Sequence, residues 1–566
     1  MKDVKTIIRD LRAANVRLSF SGEELAIEPH DALLSEDLLQ KIHLHKDSLI
    51  AWFRKNQQKS FTNIPAVASQ ESYVLSSSQR RLWLLSQLED SNVAYNIPRV
   101  YLFEGLLDTA AVAAAFHSLI SRHESLRTVF RDDETGEIRQ WVLPPEDSGF
   151  QLHITDLSGE HTSAALHALV RAQVAAPFDL AHGPLLRAAV IRTAPDKWVF
   201  AYVMHHIISD GWSMGILLRE LLQFYEMHTG TTTFQPAPLR IHYKDYAAWQ
   251  QEQLGSQPGQ AHQAYWLQQF EGELPVLELP GDRPRPAIKT YNGALASRIM
   301  DASLGAGIKT LGWEQGATFF MSLLAAVNAL LYYHTGQTDI VIGSPVAGRD
   351  HKDLEDQIGA YINTLPLRMR FNPDWNFVQL LTYIKDTTLK AFEHQAYPLD
   401  ELVGELQLLR DRSRNPLFDV LLAVTERERD TSGVEGPGGL KIRSFEGEGY
   451  LQCKVDLSFN LIETANGSFY AGIEYNTDIY QEETIQRLLA HMEELLRSVI
   501  QAPLVPLNQL NILTAKEKEQ LLTAFNDIPL NYTERTDVLT SFKKQVAQHP
   551  DHIAVVFEQS QLTYAA

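Results

Sequence analysis

Two adjacent histidines, His205 and His206, end an apolar run at residues 198–204 and are followed by Asp210 and Gly211. The run predicts a buried strand, and the Asp-Gly pair predicts a turn into the next element. A histidine between a strand and a helix start is well placed to be a titratable group in a cleft, beside free backbone N–H groups. On these residues alone, a catalytic pair and a structural pair are both open.

The element after the turn is predicted to be a helix, because apolar residues recur three and four positions apart. They are Ile216, Leu217, Leu221, Leu222 and Tyr225. Successive side chains of a strand point to opposite faces, so His205 and His206 cannot easily share a metal ion. One imidazole should pack inward while the other faces a cavity. No other histidine or cysteine lies at a spacing that completes a zinc site, and we predict no metal.

Length and composition indicate an ordinary globular protein with several domains. The 566 residues exceed what one compact core accommodates, and the hydrophobic and charged fractions are 45% and 21%. A net charge of -20 argues against nucleic acid or an anionic membrane as partner. The single cysteine, Cys453, excludes an intramolecular disulfide and suits a reducing compartment. With no apolar signal region and no segment long enough to span a bilayer, we expect a cytoplasmic protein.

The pattern His-His-x-x-x-Asp-Gly at 205–211 resembles the active-site signature of nonribosomal peptide synthetase condensation domains. Related histidine–aspartate patterns occur in carnitine and chloramphenicol acyltransferases, so the accompanying motifs decide. Segments that resemble the other condensation motifs follow in the family's order, at residues 74–83, 122–130, 243–250, 358–368, 394–399 and 412–420. The resemblance extends from Tyr73 to Leu513.

The resemblance implies an α/β (α+β) fold of two chloramphenicol-acetyltransferase-like lobes, arranged as a V-shaped pseudodimer. The expected limits are 73–250 for the N-lobe and 251–513 for the C-lobe. A tunnel between the lobes would end at His206, and the arms of two carrier proteins would enter it from opposite ends. These arms carry 4'-phosphopantetheine thioesters, one with the acyl donor and one with the aminoacyl acceptor. The chain itself is expected to bind no cofactor.

The resemblance also assigns roles around the histidines, with His206, Asp210 and Gly211 as the expected catalytic set. His206 is expected either to accept the proton of the attacking amine or to hold the amine or the oxyanion by a hydrogen bond. The sequence leaves both roles open. Asp210 is expected to be structural, since a carboxylate at such a turn is held by an arginine, and the family pattern points to Arg349.

Five further expectations concern other residues. His205 is expected to pack and to shape the strand end. The N–H of Gly211 can approach a substrate closely because the residue has no side chain, and Ser213 is expected to offer a hydroxyl near the thioester. Arg127, in the second motif, is expected to be structural. The aromatic residues of 243–250 are expected to pack at the junction of the lobes.

Residues 1–58 are predicted to be a small docking domain of helices around a β-hairpin, because 16–20 and 25–27 alternate around a Ser-Gly turn. Residues 11–18 and 45–50 resemble the N-terminal docking domain of the tubulysin-synthetase type, an αββα(α) fold. In that family the hairpin captures a C-terminal tail of the upstream synthetase by strand addition and charge pairing. The candidate charges are Arg17, Glu23, Glu24 and Glu28.

A domain this small has a marginal core and would gain from dimerisation. The alternative is an accessory domain whose charges are merely solvated.

Residues 59–72 are polar and lack periodicity, which indicates a linker. Residues 514–566 resemble the start of an adenylation domain, so we expect a piece of a larger synthetase with its own adenylation domain; the alternative is an unrelated extension. The glycine-rich segment 432–439 is predicted to be a mobile surface loop.

Other functions fit the sequence less well. An epimerisation domain carries Ser-Trp after its HHxxxD, whereas this chain has Gly-Trp-Ser at 211–213, and a heterocyclisation domain replaces the histidines with aspartates. A stand-alone acyltransferase that uses coenzyme A needs neither a docking domain nor an adenylation segment. A non-catalytic recruitment scaffold has no need of His206. Residues 95–98 and 358–368 favour the condensation subtype that joins two L-configured residues.

Overall fold

The computed structural model describes residues 17–21, 24–28, 63–87, 91–159, 163–408, 411–425, 434–445, 452–464, 467–527 and 537–566. These divide into two compact units within residues 1–510 and 511–566. The described strands are β1 (Arg17–Ser21), β2 (Glu24–Glu28), β3 (Asn96–Glu104), β4 (Thr128–Asp132), β5 (Ile138–Val142), β6 (Leu152–Asp156), β7 (Leu186–Ala194), β8 (Lys197–His205), β9 (Gly293–Met300), β10 (Asp339–Val346), β11 (Asn363–Arg370), β12 (Val420–Thr425), β13 (Val434–Glu435), β14 (Lys441–Ser444), β15 (Leu457–Glu463), β16 (Phe469–Asn476), β17 (Ile553–Phe557) and β18 (Ser560–Thr563).

The described α-helices are α1 (Ser77–Ser86), α2 (Ser91–Ala94), α3 (Thr109–Arg122), α4 (Ser163–Ala175), α5 (Gly211–His228), α6 (Tyr243–Gly255), α7 (Gln257–Gln269), α8 (Ala302–Glu314), α9 (Phe319–Thr335), α10 (Phe377–Glu393), α11 (Leu399–Glu405), α12 (Glu482–Gln501), α13 (Ala515–Leu522) and α14 (Val538–Gln548).

The first large sheet has six strands in the order β13-β14-β3-β8-β7-β6. Strand β8 is buried continuously from Trp198 to His205, the pattern of a strand covered on both faces. Helices α3 and α5 pack against each other beside it, and α5 buries Met214, Leu217 and Leu221. The predicted strand at 198–204 and the helix that follows it are confirmed.

The second large sheet has six strands in the order β11-β10-β12-β15-β16-β9. Helix α9 is buried from Met321 to Leu331 and contacts α8, α10 and α12. Helix α9 coincides with the apolar run at 317–333, and β10 begins with the apolar segment 339–343. The expectation that the second half repeats the architecture of the first is confirmed by these two sheets.

The chain of the second half returns to the first sheet before it completes its own. Strand β14 pairs antiparallel with β3, with Ile442 opposite Phe103, and β13 extends the same edge. Both strands fall inside 251–513, the range predicted for the C-lobe. The two halves are therefore joined by these two strands of the second half, which extend the first sheet, as well as by their linking segment. We call this arrangement the strand exchange.

The described part of 432–439, which was predicted to be a mobile surface loop, forms the short strand β13 and a turn in which Gly438 and Gly439 are exposed. Pro437 is buried, and Leu440 just beyond the segment is 1% exposed and belongs to the core of the first half. Gly438 and Gly439 have positive φ and make a tight turn between β13 and β14. The glycines thus serve a turn that brings apolar residues inward.

Aromatic residues pack where the two halves meet, as predicted for 243–250. The rings of Tyr243 and Tyr246 lie 4.8 Å and 4.7 Å from that of Tyr361. The hydroxyl of Tyr243 also donates to the carbonyl of Ala360 (2.9 Å). Arg127 is structural as expected, since its guanidinium donates to backbone carbonyls of neighbouring segments.

The predicted hairpin near the N-terminus is present in the backbone. Strands β1 and β2 pair antiparallel, with Arg17 opposite Glu28 and Ser21 opposite Glu24. Glu23 and the helices predicted on either side of the hairpin lie outside the described residues. In the C-terminal unit, α13, α14 and the hairpin β17–β18 are described.

Among the described residues, no single helix has both the length and the apolar character needed to cross a membrane. Helices α8 and α9 meet those two criteria only as a pair, and a bend of 105° separates them.

The strand exchange predicts a stability effect far from the site. Substitution Ile442→Ala should lower the free energy of unfolding by about 2–5 kcal/mol, because it removes buried methyl groups from the core of the first half. Chemical denaturation would measure it. The neighbouring exposed side chain provides a control, and Arg443→Ala should change stability by less than about 0.5 kcal/mol. Equal effects of the two substitutions would contradict a docked β14.

Candidate active site

The two histidines occupy different backbone settings. Strand β8 ends at His205, and His206 begins a single 3-10 turn that extends to Ile208. His205 is 0% exposed, its Nδ1 accepts from the N–H of Ile207 (3.2 Å), and its ring meets the edge of Phe178 at 6.0 Å. The structure thus places His205 as the packed residue.

His206 is half-buried, whereas His205 before it is fully buried. The N–H of His206 donates to the carbonyl of Tyr95 (2.8 Å), and the two rings meet edge to face with centroids 6.4 Å apart. Its Nδ1 is enclosed and has no hydrogen-bond partner on another residue. Burial, and then the charge of Lys454, hold the pKa of His206 well below its ordinary value. The imidazole is therefore neutral at pH 7.

Asp210 begins helix α5 and is the centre of a buried network. Its Oδ1 accepts from the N–H of Ser213 (2.8 Å), which caps the helix, and its Oδ2 accepts from the N–H of Tyr361 (3.1 Å). Arg349 donates from Nη2 to Oδ1 (3.1 Å) and Oδ2 (3.3 Å) of Asp210. The expected pairing with Arg349 is present, and both side chains are 2–3% exposed.

Arg349 is itself fixed by the second half of the chain. Its Nη1 donates to the carbonyls of Gln357 (2.8 Å) and Leu354, and its guanidinium stacks 4.3 Å from the ring centre of Tyr361. Asp210 opens a helix of the first half. The ion pair therefore joins the halves at the base of the histidine turn, and its role is to hold that turn in place.

The prediction that Ser213 offers its hydroxyl to the thioester is wrong, because the hydroxyl points away from the open side. Its side chain is fully buried, and its hydroxyl lies 2.7 Å from Asp210 Oδ1 and 3.0 Å from the carbonyl of Gly359, while Arg349 donates to it (2.9 Å). All its hydrogen-bonding capacity is directed at this network. The hydroxyl cannot face a thioester, and Ser213 supports the ion pair instead.

Gly211 lies on the open side of the same turn. It is exposed, and a Cβ added there would meet no atom within 4 Å. Trp212 beside it is 53% exposed and donates from Nε1 to the carbonyl of Glu355 (3.0 Å). The first N–H groups of α5 have no partner inside the helix. The N–H of Gly211 is thus accessible, and the fold itself does not require glycine at this position.

Three charged residues near His206 were missed by the sequence reasoning. Arg81 of α1 pairs with Asp400 of α11 (3.3 Å), and burial raises the pKa of Asp400. The ammonium of Lys454 lies 5.2 Å from the ring centre of Tyr95. Arg81 lies within the motif-like segment 74–83 and Asp400 directly follows the segment 394–399, and this placement could have identified both residues from the sequence. Lys454 stands in none.

The described residues contain no group of three or more histidine, cysteine, aspartate or glutamate side chains placed to hold a metal ion.

The comparisons with known proteins identify the family of this chain. The model of the family described as Condensation domain matches residues 69–522. The chain belongs to the condensation domain family. The match covers most of the 566-residue chain, and its last part, residues 511–522, lies in the second compact unit.

Two relatives of this condensation domain are bacterial peptide synthases. One of the plipastatin synthase proteins of Bacillus subtilis (strain 168) is 37% identical over 525 residues, which are 92% of this chain and 20% of the relative. Tyrocidine synthase 3 of Brevibacillus parabrevis is 38% identical over 516 residues, which are 91% of this chain and 8% of the relative. The chain spans a fifth or less of the length of these relatives.

Solved structures have the same fold. The X-domain from teicoplanin biosynthesis matches with a TM-score of 0.73 and 26% identity, over 80% of this chain and 100% of that one. The starter condensation domain of rhizomide synthetase RzmA matches with a TM-score of 0.63 and 23% identity, over 79% and 100%. The predicted α/β fold with chloramphenicol-acetyltransferase-like halves is thereby confirmed.

The buried ion pair generates a thermodynamic prediction. Substitution Arg349→Met should destabilise the chain by about 3–5 kcal/mol, because it leaves the carboxylate of Asp210 buried without its counter-ion. Asp210→Asn in the same background should recover part of that loss. Urea denaturation of the two single variants and the double variant would measure the coupling. Strict additivity of the two substitutions would contradict a direct pair.

Proposed function

We propose that this condensation domain forms an amide bond between two carrier-bound substrates. The donor is an acyl or peptidyl thioester on an upstream carrier, and the acceptor is an aminoacyl amine on a downstream carrier. The observation that supports this most directly is the half-buried imidazole of His206, whose pKa is lowered by burial and which stands at the start of the short turn that leads to the exposed Gly211. The family and the synthase relatives agree with amide formation. Within the family, we favour the subtype that joins two L-configured residues.

The reaction needs alignment and control of charge. The amine nitrogen attacks the thioester carbon, and the carbonyl oxygen becomes an oxyanion of a tetrahedral intermediate. The neutral Nε2 of His206 can accept a proton or a hydrogen bond from the amine, and an imidazolium could do neither. Collapse then releases the donor thiol, which takes up the proton, and leaves the amide. The N–H of Gly211 is accessible to an oxyanion at this place.

Alignment accounts for much of the rate in this proposal. The thioester is already activated, so holding both tethered substrates in one site can supply several kcal/mol by itself. Both substrates arrive on 4'-phosphopantetheine arms of carrier proteins, and the chain needs no cofactor of its own. The limits 73–250 and 251–513 for the lobes serve as working boundaries, with β13 and β14 assigned to the first sheet.

We also propose the roles of the terminal segments. Residues 1–58 act as a docking domain that recruits the C-terminal tail of an upstream synthetase, with a homodimer as one form open to it, and 59–72 link it to the catalytic part. Residues 514–566 are the linker and the start of an adenylation domain. The length of the relatives supports a larger multidomain protein. The one cysteine, which is buried and free, suits the cytoplasm.

A loss of the imidazole tests the chemical step. In a single-turnover assay with loaded donor and acceptor carriers, His206→Ala should form product slower by ~10²-fold or more, since general acid–base catalysis contributes at least that much. Intact-protein mass spectrometry would follow the product. The matched control is His182→Ala, an exposed histidine on the surface, which should keep the full rate. Equal rates for the two variants would assign catalysis to alignment alone.

A second function has one observation in its favour. The X-domain from teicoplanin biosynthesis, which has this fold, is known in a complex with OxyB. A recruitment scaffold is thus the alternative for this chain. It would be favoured if the wild-type chain formed no product with several donor–acceptor pairs but still bound an upstream synthetase.

The docking proposal predicts a charge effect. Arg17 and Glu28 are cross-strand partners in the hairpin, so the double reversal Arg17→Glu/Glu28→Arg keeps net charge and changes the pattern. It should raise the KM for donor supplied on the full upstream protein roughly tenfold, and leave transfer from an isolated donor carrier unchanged. The remote exposed control Glu134→Lys should change neither. A rise for both forms of the donor would contradict a docking role.

A further inference from the structure

The segment predicted to be a linker is packed into the junction of the two halves where the structure describes it. We call residues 63–67 the junction segment. Ile64 within it is 0% exposed and belongs to a cluster of buried residues. The other members come from the first turns of α6 and from the second half, and they are Ile241, Tyr243, Tyr246, Ala247, Leu354, Ala360 and Tyr361. The side chain of Ile64 is therefore part of the core at this junction.

The backbone of the junction segment is fastened to both halves. The carbonyl of Ile64 accepts a hydrogen bond from Nη2 of Arg240 (2.9 Å), and the same guanidinium donates from Nε to Oδ1 of Asp353 (3.0 Å). The N–H of Val67 donates to Oδ1 of Asp245 (2.8 Å), a buried carboxylate in the first turn of α6. Arg240 thus links the junction segment to the second half, and Asp245 links it to α6.

The turn that contains Asp353 also holds Arg349. It is a single 3-10 turn, and the carbonyl of its last residue, Leu354, accepts a hydrogen bond from Nη1 of Arg349. Arg349 in turn pairs with Asp210 at the start of α5. Hydrogen bonds and one short turn therefore connect the junction segment to the carboxylate that holds the histidine turn.

The aromatic rings of the cluster provide a second connection. The ring of Tyr243 lies 4.8 Å from that of Tyr361, and both belong to the cluster that contains Ile64. Tyr361 stacks on the guanidinium of Arg349 (4.3 Å) and donates its N–H to Oδ2 of Asp210 (3.1 Å). Packed interiors transmit strain, so a void at residue 64 is expected to shift the ring that borders Arg349.

Resting on the proposed function, we propose that the junction segment is part of the frame of the active site and that Ile64 is a positioning residue for His206. Because Ile64 is 0% exposed, it acts through Arg349 and Asp210 and not by contact with a substrate. A misplacement of about 1 Å, caused far from the chemistry, can cost ~10²-fold in rate. In the sequence, this segment joins the proposed docking domain to the two halves, so recruitment and catalysis share these residues.

The first test compares two buried isoleucines in the full chain. Ile308 is also 0% exposed and lies on α8, which packs against α9 and α12. Ile64→Ala and Ile308→Ala remove the same atoms and should lower the urea midpoint of unfolding by similar amounts. In the single-turnover assay without urea, Ile64→Ala should be slower roughly tenfold at saturating carriers, with the half-saturating carrier concentration unchanged. Ile308→Ala should keep the wild-type rate, and Ile64→Val should recover most of it.

A second pair of variants tests the hydrogen-bonded link. Arg240→Met removes the guanidinium between Ile64 and Asp353, and Arg298→Met is its matched control. The Arg240–Asp353 side chains are 42% and 18% exposed, and those of the Arg298–Glu493 pair are 40% and 17% exposed. Exposed pairs contribute little to stability, so both variants should fold and only Arg240→Met should lose rate. In Ile64→Ala/Arg240→Met the loss should be smaller than the product of the two single losses, since both act on one network.

The placement of His206 also has a readout besides activity. In protein with labelled histidine, the Cε1–H resonance of His206 is identified by its loss in His206→Gln. This resonance should move in Ile64→Ala and Arg240→Met and stay in place in the two controls. Equal rates, or equal losses, in Ile64→Ala and Ile308→Ala would overturn the proposal. If the wild-type chain formed no product, the proposed function would fail, while the resonance of His206 would still decide the role of Ile64.

Discussion

The geometry of the site depends on one buried ion pair. Asp210 caps the first turn of α5 and receives Arg349 from the second half of the chain, and both side chains are almost free of solvent. Two charges are costly to bury, so the pair persists only because nearly every lone pair and proton is used. Tyr361, Ser213 and backbone carbonyls supply those partners. The position of the histidine turn follows from this closed network.

The residues proposed for catalysis lie outside the buried network of Asp210 and Arg349. The ion pair lies on the buried side of the turn, while His206 and Gly211 lie on the accessible side. This separation leaves the imidazole of His206 outside the hydrogen bonds of the Asp210–Arg349 network. A histidine held by a carboxylate would bind its proton more tightly. Here burial has the largest effect and lowers the pKa of His206, and the nearby cations lower it further.

Local sequence patterns predicted the elements around His206. They could not predict which residues from distant parts of the chain contact those elements. The strand, turn and helix around His206 follow from apolar spacing and an Asp-Gly turn, which act within about 30 residues. The partner Arg349 was reached through the family pattern only. Lys454 lies about 250 residues from His206 in sequence, and no periodicity links them. The hydroxyl of Ser213 was misjudged because its direction is set by Gly359 and Arg349, which a helix pattern does not reveal.

The strand exchange has a consequence for synthesis of the chain. The edge of β3 is completed by β14, which follows it by roughly 340 residues. At a translation rate of about 5–20 residues per second, that edge waits on the order of tens of seconds for its partner. An unpaired strand edge can recruit strands from other chains. The first half therefore emerges from the ribosome with an open edge, and the second half closes it from within the same polypeptide.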